Sequence, residues 1–284
     1  MALHELPPER RNLHGHFSRD LEPVLTIDSG DSVRISVPNA GWYLESGELF
    51  EPRDAKLDAG HALAGPIEVR GARAGQTLYV RIDELQTGSW GVTYTGPSHN
   101  VRWELSKRTA RSDRFTVTVR PFLGVLGMPP PEPGIHSTIP PRRWGGNIDC
   151  KELVAGSLLA LPIPVDGALF SAGDGHAAQG DGEVSGTAIE CPAQAKLTFA
   201  VRDEPVDWPH ARTRDAWITF GFDEDLGRAA RIAIDGMLDL LQELHGISRD
   251  DALALASVVV DLRVTQVVNE SLGVHAVLRA DALR

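Results

Sequence analysis

The chain has 284 residues, 42% of them apolar, and a formal net charge of −11. That size and apolar share support a large packed core and exclude a disordered chain. The negative balance argues against a nucleic-acid surface, which needs a basic patch. No run approaches the ~18 uninterrupted apolar residues of a membrane span.

Two cysteines, Cys150 and Cys191, are too few for a disulfide framework and fit a reduced compartment. The segment Met1 to Asn12 is polar and carries prolines, unlike the apolar centre of a signal peptide. The expectation is a cytoplasmic protein.

In chain order, His14 and His16 stand at i and i+2, on one face if that segment is extended. They suit metal or substrate contact, or ordinary surface positions. Val33, Ile35 and Val37 alternate with Ser32, Arg34 and Ser36, the period of a strand with one buried face. Residues 42 to 64 have no period and read as a long loop, often functional in a compact domain. Trp42 and Tyr43 would anchor that loop or wall a pocket. Alternation returns at Ile67 and Val69, at Leu78, Val80 and Ile82, at Trp90, Val92 and Tyr94, and at Phe115, Val117 and Val119. Short alternating strands with Gly and Asp turns predict an antiparallel sandwich or barrel. His99 and Asn100 fall in a loop between strands.

The proline run Pro129 to Gly134 favours rigid, extended backbone and suggests a boundary. Three parts follow: a β-rich part over 1–128, a central β part over 129–222, and helices with a closing hairpin over 223–284. They are expected to form one compact unit. Arg142 and Arg143 would be solvated, or would hold nearby carboxylates. Ala195, Leu197, Phe199 and Val201 alternate again, and residues 217 to 222 read as a strand buried on both sides. Leu226, Ala230, Ala233, Met237, Leu241 and Leu244 then recur at helical spacing, with Asp223 as N-cap and Gly246 as C-terminal glycine. Ser248 with Asp251 opens a second helix as a capping box. A last hairpin turns at Asn269 to Leu272.

The chemistry concentrates between Asn147 and Glu190. Asp149, Asp174, His176, Asp181 and Glu183 are hard oxygen donors plus one imidazole, set among glycines. A mixed His and carboxylate set suits zinc, whereas an all-oxygen set would suit calcium or magnesium. The same residues also suit a turn whose carboxylates cap backbone N–H groups. No Gly-x-Ser-x-Gly elbow occurs, so an α/β-hydrolase triad lacks its usual sign, and without a Walker sequence or Gly-x-Gly-x-x-Gly unit nucleotide cofactors have no support.

Several stretches together carry a family likeness. They are Pro140-Pro141-Arg142-Arg143, Gly145-Gly146-Asn147-Ile148-Asp149, the run Asp174 to Glu183, and Gly186-Thr187-Ala188-Ile189-Glu190. His16-Phe17-Ser18-Arg19 near the start and Asp261 to Val268 near the end add to them. In these the chain resembles the acetamidase/formamidase family. The resemblance implies a mainly β fold, sandwich or jelly-roll-like with a small barrel part and a minor α/β element. It implies hydrolysis of short linear amides to carboxylate and ammonia, a divalent metal, and a homo-oligomer. Some relatives hydrolyse lactams, so the substrate stays open.

The expected site follows by inference from the residues. Asp149, Asp174 and His176 would hold the ion, zinc before calcium or magnesium, with His136 or His14 completing the shell. Glu183 would move the proton, with Glu190 as the alternative base and Asp181 as a catalytic partner. Asn147, Gln179 and His16 would meet the substrate. Two other readings are a non-catalytic β-sandwich that binds a cation or small polar ligand, and a metal-free Asp181–Glu183 pair.

Overall fold

A computed structural model describes residues 1–96 and 99–283. The fold is mainly β. A nine-stranded sheet runs, in spatial order, Leu3–Leu6, Ser32–Val37, Ala193–Arg202, Thr77–Thr87, Leu158–Pro162, His210–Arg212, Ala216–Asp223, Leu272–Arg279 and Val260–Gln266. All three parts of the chain contribute strands to it. A second sheet runs Gly145–Asn147, Phe122–Gly127, Phe170–His176, Leu63–Val69 and Leu13–His14, with Leu25–Ile27 paired parallel to Leu63–Val69. A small four-stranded antiparallel sheet spans Trp90–Tyr94, Asn100–Leu105, Thr109–Arg111 and Thr116–Thr118.

The two large sheets pack face to face: alternation gives the first an apolar side, while the central strands Phe122–Gly127 and Phe170–His176 of the second are buried throughout. Val33, Ile35, Leu197 and Phe199 of the first share one core with Ile67, Val69, Leu123 and Phe170 of the second. The Phe170 and Phe199 rings meet edge to face at 5.3 Å, a geometry worth about 1 kcal/mol beyond burial. Ala216–Asp223 is buried on both sides, as its apolar run predicts. Thr116–Thr118 is an edge strand, so Phe115 and Val117 stay exposed.

Helix α1 (Leu226–His245) lays Ala229, Ala233, Met237 and Leu241 on Val274, Ala276 and Leu278. Its buried stripe is one residue out of phase with the expected one at Ala230, and Leu226 and Leu244 are exposed. The N-cap is Asp225 rather than Asp223: Asp225 Oδ1 accepts from the Arg228 N–H at 2.7 Å. Asp223 ends the preceding strand and accepts from the Asp225 N–H instead. Gly246 closes the helix in the left-handed region, as expected. Helix α2 (Arg249–Val259) starts at Ser248, whose hydroxyl accepts from the Asp251 N–H. Among the described residues no helix is long and apolar enough to cross a membrane.

His14 belongs to this scaffold. Its Nδ1 lies 2.7 Å from the His16 carbonyl and its Nε2 2.9 Å from Ser171 Oγ. Burial holds the ring below its usual 6.5, at about 4. The folded chain therefore binds this proton less tightly than the unfolded chain does. The contribution is complete above pH 6.5 and is lost as pH falls towards 4. At about 1.4 kcal/mol per unit this comes to roughly 3 kcal/mol. Urea midpoints are expected to fall more steeply from pH 7 to 4.5 in the wild type than in His14→Asn. Parallel curves would place the sensitivity elsewhere.

Candidate active site

The site forms at one end of Phe170–His176, a central strand of the second sheet. Register places Phe122 opposite His176 and Leu123 opposite Gly175 on one neighbouring strand. The Phe122 ring meets the His176 ring edge on at 4.9 Å. Asp149 arrives from the turn after Gly145–Asn147, Glu183 from the glycine-rich loop, and Glu190 by a backbone bridge beside His176. All five side chains, Asp149, Asp174, His176, Glu183 and Glu190, are buried. Two triplets of donor atoms converge, Asp149–His176–Glu183 and Asp174–His176–Glu190, with His176 common to both.

The distances define one face for each ring nitrogen. His176 Nδ1 lies 3.0 Å from Gln179 Oε1, an acceptor, and 4.0 Å from Asp149 Oδ1. Nε2 lies 3.2 Å from Asp174 Oδ2 and 3.2 Å from Glu190 Oε2. When Nδ1–H donates to Gln179, the Nε2 lone pair faces two carboxylates. A proton or a cation must sit between them.

The backbone is strained at the same place. Seven non-glycine residues among those described have positive φ. Three of them are site carboxylates: Asp149 at 52°, Asp174 at 61° and Glu183 at 46°. Such positions cost about 1–3 kcal/mol each and persist where surrounding contacts hold them.

Electrostatics work in both directions here. Burial, with Asp174 and Glu190 nearby, pushes Asp149 up to about 7, although His176 opposes it. Burial, with Asp149 beside it, pushes Glu183 up to about 10. Glu190 is raised by burial as well. Asp174 resists its own burial because the His176 ring holds it well below the usual carboxylate range. His176 is buried too, yet Asp174 and Glu190 raise it well above an ordinary histidine.

The residues fit a divalent cation. Asp149 Oδ1, Asp174 Oδ1 and Glu190 Oε2 are buried without a hydrogen-bond partner. Gly124 makes room for the Asp149 and Asp174 carboxylates, which pack against it: a Cβ there would stand 2.2 Å from Asp174 Oδ2 and 2.6 Å from Asp149 Oδ1. Four carboxylates around one imidazole are an oxygen-rich donor set with one nitrogen, as zinc and other divalent ions accept.

Other expected residues stand elsewhere. His136 lies beside Phe17, and its Nε2 donates to the Glu132 carbonyl, so the structure does not bring it into the cluster as a ligand. His14 has both nitrogens engaged, as above. His16 Nδ1 faces Asp58 Oδ1 at 2.9 Å and steadies the 42–64 loop. Asp181 is exposed and paired with Lys151 and Arg263, because its side chain turns outward where Glu183 turns inward. Arg142 donates to the Pro140 carbonyl and Arg143 pairs with Asp207, so neither holds a site carboxylate. Gln179 is at the site and lines the cavity described below; its Oε1 faces His176 and its Nε2 donates to the Asp149 carbonyl at 2.8 Å. Asn147 is buried, with its Oδ1 unpartnered.

Two side chains join the site without having been expected. His61, at the end of the long loop, lowers both Asp149 and Asp174, and its Nδ1 lies 2.9 Å from Thr138 Oγ1. The lack of period over 42–64 was the available signal. Asn269 donates to Asp149 Oδ2 at 2.5 Å; a turn sequence alone gives no sign of that. A cavity of about 440 Å³ reaches the site. Gln179 and Glu183 line it, with Trp103, Val117, Val184 and Ile189.

The acetamidase/formamidase family model matches residues 3–130 and 133–213. The chain belongs to the acetamidase/formamidase family. An acetamidase from Mycolicibacterium smegmatis is 25% identical over 61% of this chain and 61% of its own length. The chain thus spans about three fifths of the length of the curated relatives it matches. The crystal structure of an acetamidase from Bacillus halodurans is 26% identical, with a TM-score of 0.86 over 97% of both chains. A γ-lactamase from Delftia acidovorans shares the fold at a TM-score of 0.62 and 20% identity, over 97% of this chain and 90% of its own.

Proposed function

We propose that this acetamidase/formamidase family member hydrolyses short linear amides, of the formamide and acetamide kind, to carboxylate and ammonia. Buried carboxylates converging on His176, one of which, Glu183, lines a cavity, carry the reading. Asp149, Asp174, His176 and Glu190 would hold a divalent cation, zinc before calcium or magnesium. A divalent cation bound there supplies Lewis-acid polarisation of a water molecule and an amide carbonyl, and keeps the surrounding carboxylates ionised.

The chain's own groups do the rest. Glu183 is the one cluster carboxylate that lines the cavity. It takes a proton as the water oxygen bonds to the amide carbon, and gives it to the nitrogen as the carbon–nitrogen bond breaks. Gln179 keeps the His176 ring turned so that Nε2 faces Asp174 and Glu190. Trp103, Val117 and Ile189 present apolar surface where the acyl group would lie. Exposed Val117 and Val184 on the cavity wall support a homo-oligomer in which a second copy covers that wall; gel filtration tests it. A cytoplasmic location belongs to the same reading.

Ammonia release from formamide, acetamide, propionamide and a lactam, with elemental analysis of the same sample, tests the proposal. The expected result is turnover of a linear amide that falls to background on chelation and returns with zinc. Bound metal without ammonia from any amide would favour a non-catalytic cation-binding protein. Activity that survives complete removal of metal would favour carboxylate acid–base chemistry alone.

A further inference from the structure

The closing hairpin, strands Val260–Gln266 and Leu272–Arg279, lies beyond residue 213, where the family match ends. It nevertheless touches both turns that carry site carboxylates. At its tip, buried Asn269 donates to Asp149 Oδ2 at 2.5 Å. Gln266 shapes that tip. Its Oε1 accepts from the Val268 and Asn269 N–H groups at 2.9 and 3.1 Å, and its Nε2 donates to the Ser271 carbonyl at 2.7 Å. Gly182, next to Glu183, pairs with the same strand: its N–H donates to the Thr265 carbonyl, and its carbonyl accepts from the Val267 N–H. Arg263 joins Glu152, just past Asp149, to Asp181, just before Glu183, at 2.6 and 2.9 Å.

We infer that Asn269 is a positioning residue, which locks the Asp149 carboxylate so that its Oδ1 points into the cluster. The geometry supplies the reason. Asp149 has two oxygens and a left-handed backbone. One oxygen is taken by Asn269, and the other is buried, unpartnered and packed into the space beside Gly124. Without the Asn269 donor, Asp149 is free to turn Oδ1 away from that space. Outer partners of this kind typically change metal affinity or activity by about 10–100-fold. The inference rests on the cluster being the reaction site.

The test is a double-mutant cycle of Asn269→Ala with Asp149→Asn, reading zinc affinity by chelator competition and kcat and KM on acetamide. Asn269→Ala is expected to weaken zinc binding and lower kcat, each by about 10–100-fold, with KM nearly unchanged. In the Asp149→Asn background the same change should add nothing. Asn269→Asp, equal in size but lacking the N–H donor, is expected to fare no better than Asn269→Ala. Thermal melts check that each variant folds. Wild-type zinc affinity and kcat in folded Asn269→Ala, or additive losses in the cycle, would overturn the inference. A wild type that binds zinc but releases no ammonia sinks the amidase reading alone, and the zinc arm then decides. A wild type that turns over amide without zinc leaves the decision to kcat. Absence of both removes the reading and the inference together.

Discussion

Glu183→Gln is expected to abolish most amide turnover while leaving the fold intact. A general acid–base group contributes about 10²–10⁴-fold, so kcat should fall by that order. The two side chains are nearly equal in volume, and glutamine fills the same buried position without accepting a proton. The substitution also removes one of four carboxylates that share a buried space. Burial and Asp149 hold metal-free Glu183 protonated up to about 10, so folding at neutral pH must take up a proton that glutamine does not need, and the metal-free variant should melt at a higher temperature than the metal-free wild type at pH 7. Loss of activity with a gain in stability separates a chemical role from unfolding. Steady-state ammonia release and thermal melts on the same preparations provide both readings. Unchanged turnover would remove Glu183 from proton transfer and leave Glu190 as the residue to examine.

Gly124→Ala is expected to disable the site through Asp149 and Asp174. The strand Phe122–Gly127 tolerates alanine in its backbone, because Gly124 is not among the positive-φ glycines. The methyl group is the whole perturbation. It would stand 2.2 Å from Asp174 Oδ2 and 2.6 Å from Asp149 Oδ1, so both carboxylates must swing aside. Displacing reacting or binding groups by about 1 Å typically costs about 10² in rate. Zinc affinity should fall alongside turnover, and circular dichroism should match the wild type. Wild-type zinc affinity in this variant would mean that Asp149 and Asp174 do not share a bound cation.

The two substitutions also mark where reading residues in order works and where it fails. Asp149, Asp174, His176 and Glu190 are recognisable because each sits in a short glycine-bearing motif, and they do converge. Asp181 and Glu183 look alike in that motif. The strand edge at Thr265 holds Gly182 by two hydrogen bonds, and Asp181 then turns outward to Arg263 while Glu183 turns inward. His14, His16 and His136 seemed available as ligands or contacts, yet each already has a local partner, Ser171, Asp58 and the Glu132 carbonyl. Ser171 and Asp58 lie 157 and 42 positions from their histidines, so nothing in the neighbours of His14 or His16 along the chain reveals them. The α1 cap moved from Asp223 to Asp225 because the strand before it runs one residue past Phe222 and takes Asp223 as its last residue.

By itself, then, the order of residues determined the β-rich class, the helices near the end and the acidic, glycine-rich segment. Those follow from alternation, helical spacing and glycine conformations, which act over a few residues. Tertiary structure alone decided that Asn269 reaches Asp149 across 120 positions, that His61 stands near two carboxylates, and that Gly124 faces them with no side chain. Contacts of that kind depend on which strands lie side by side in a sheet. That choice is made by burying both apolar sheet faces at once, and no local stretch contains it.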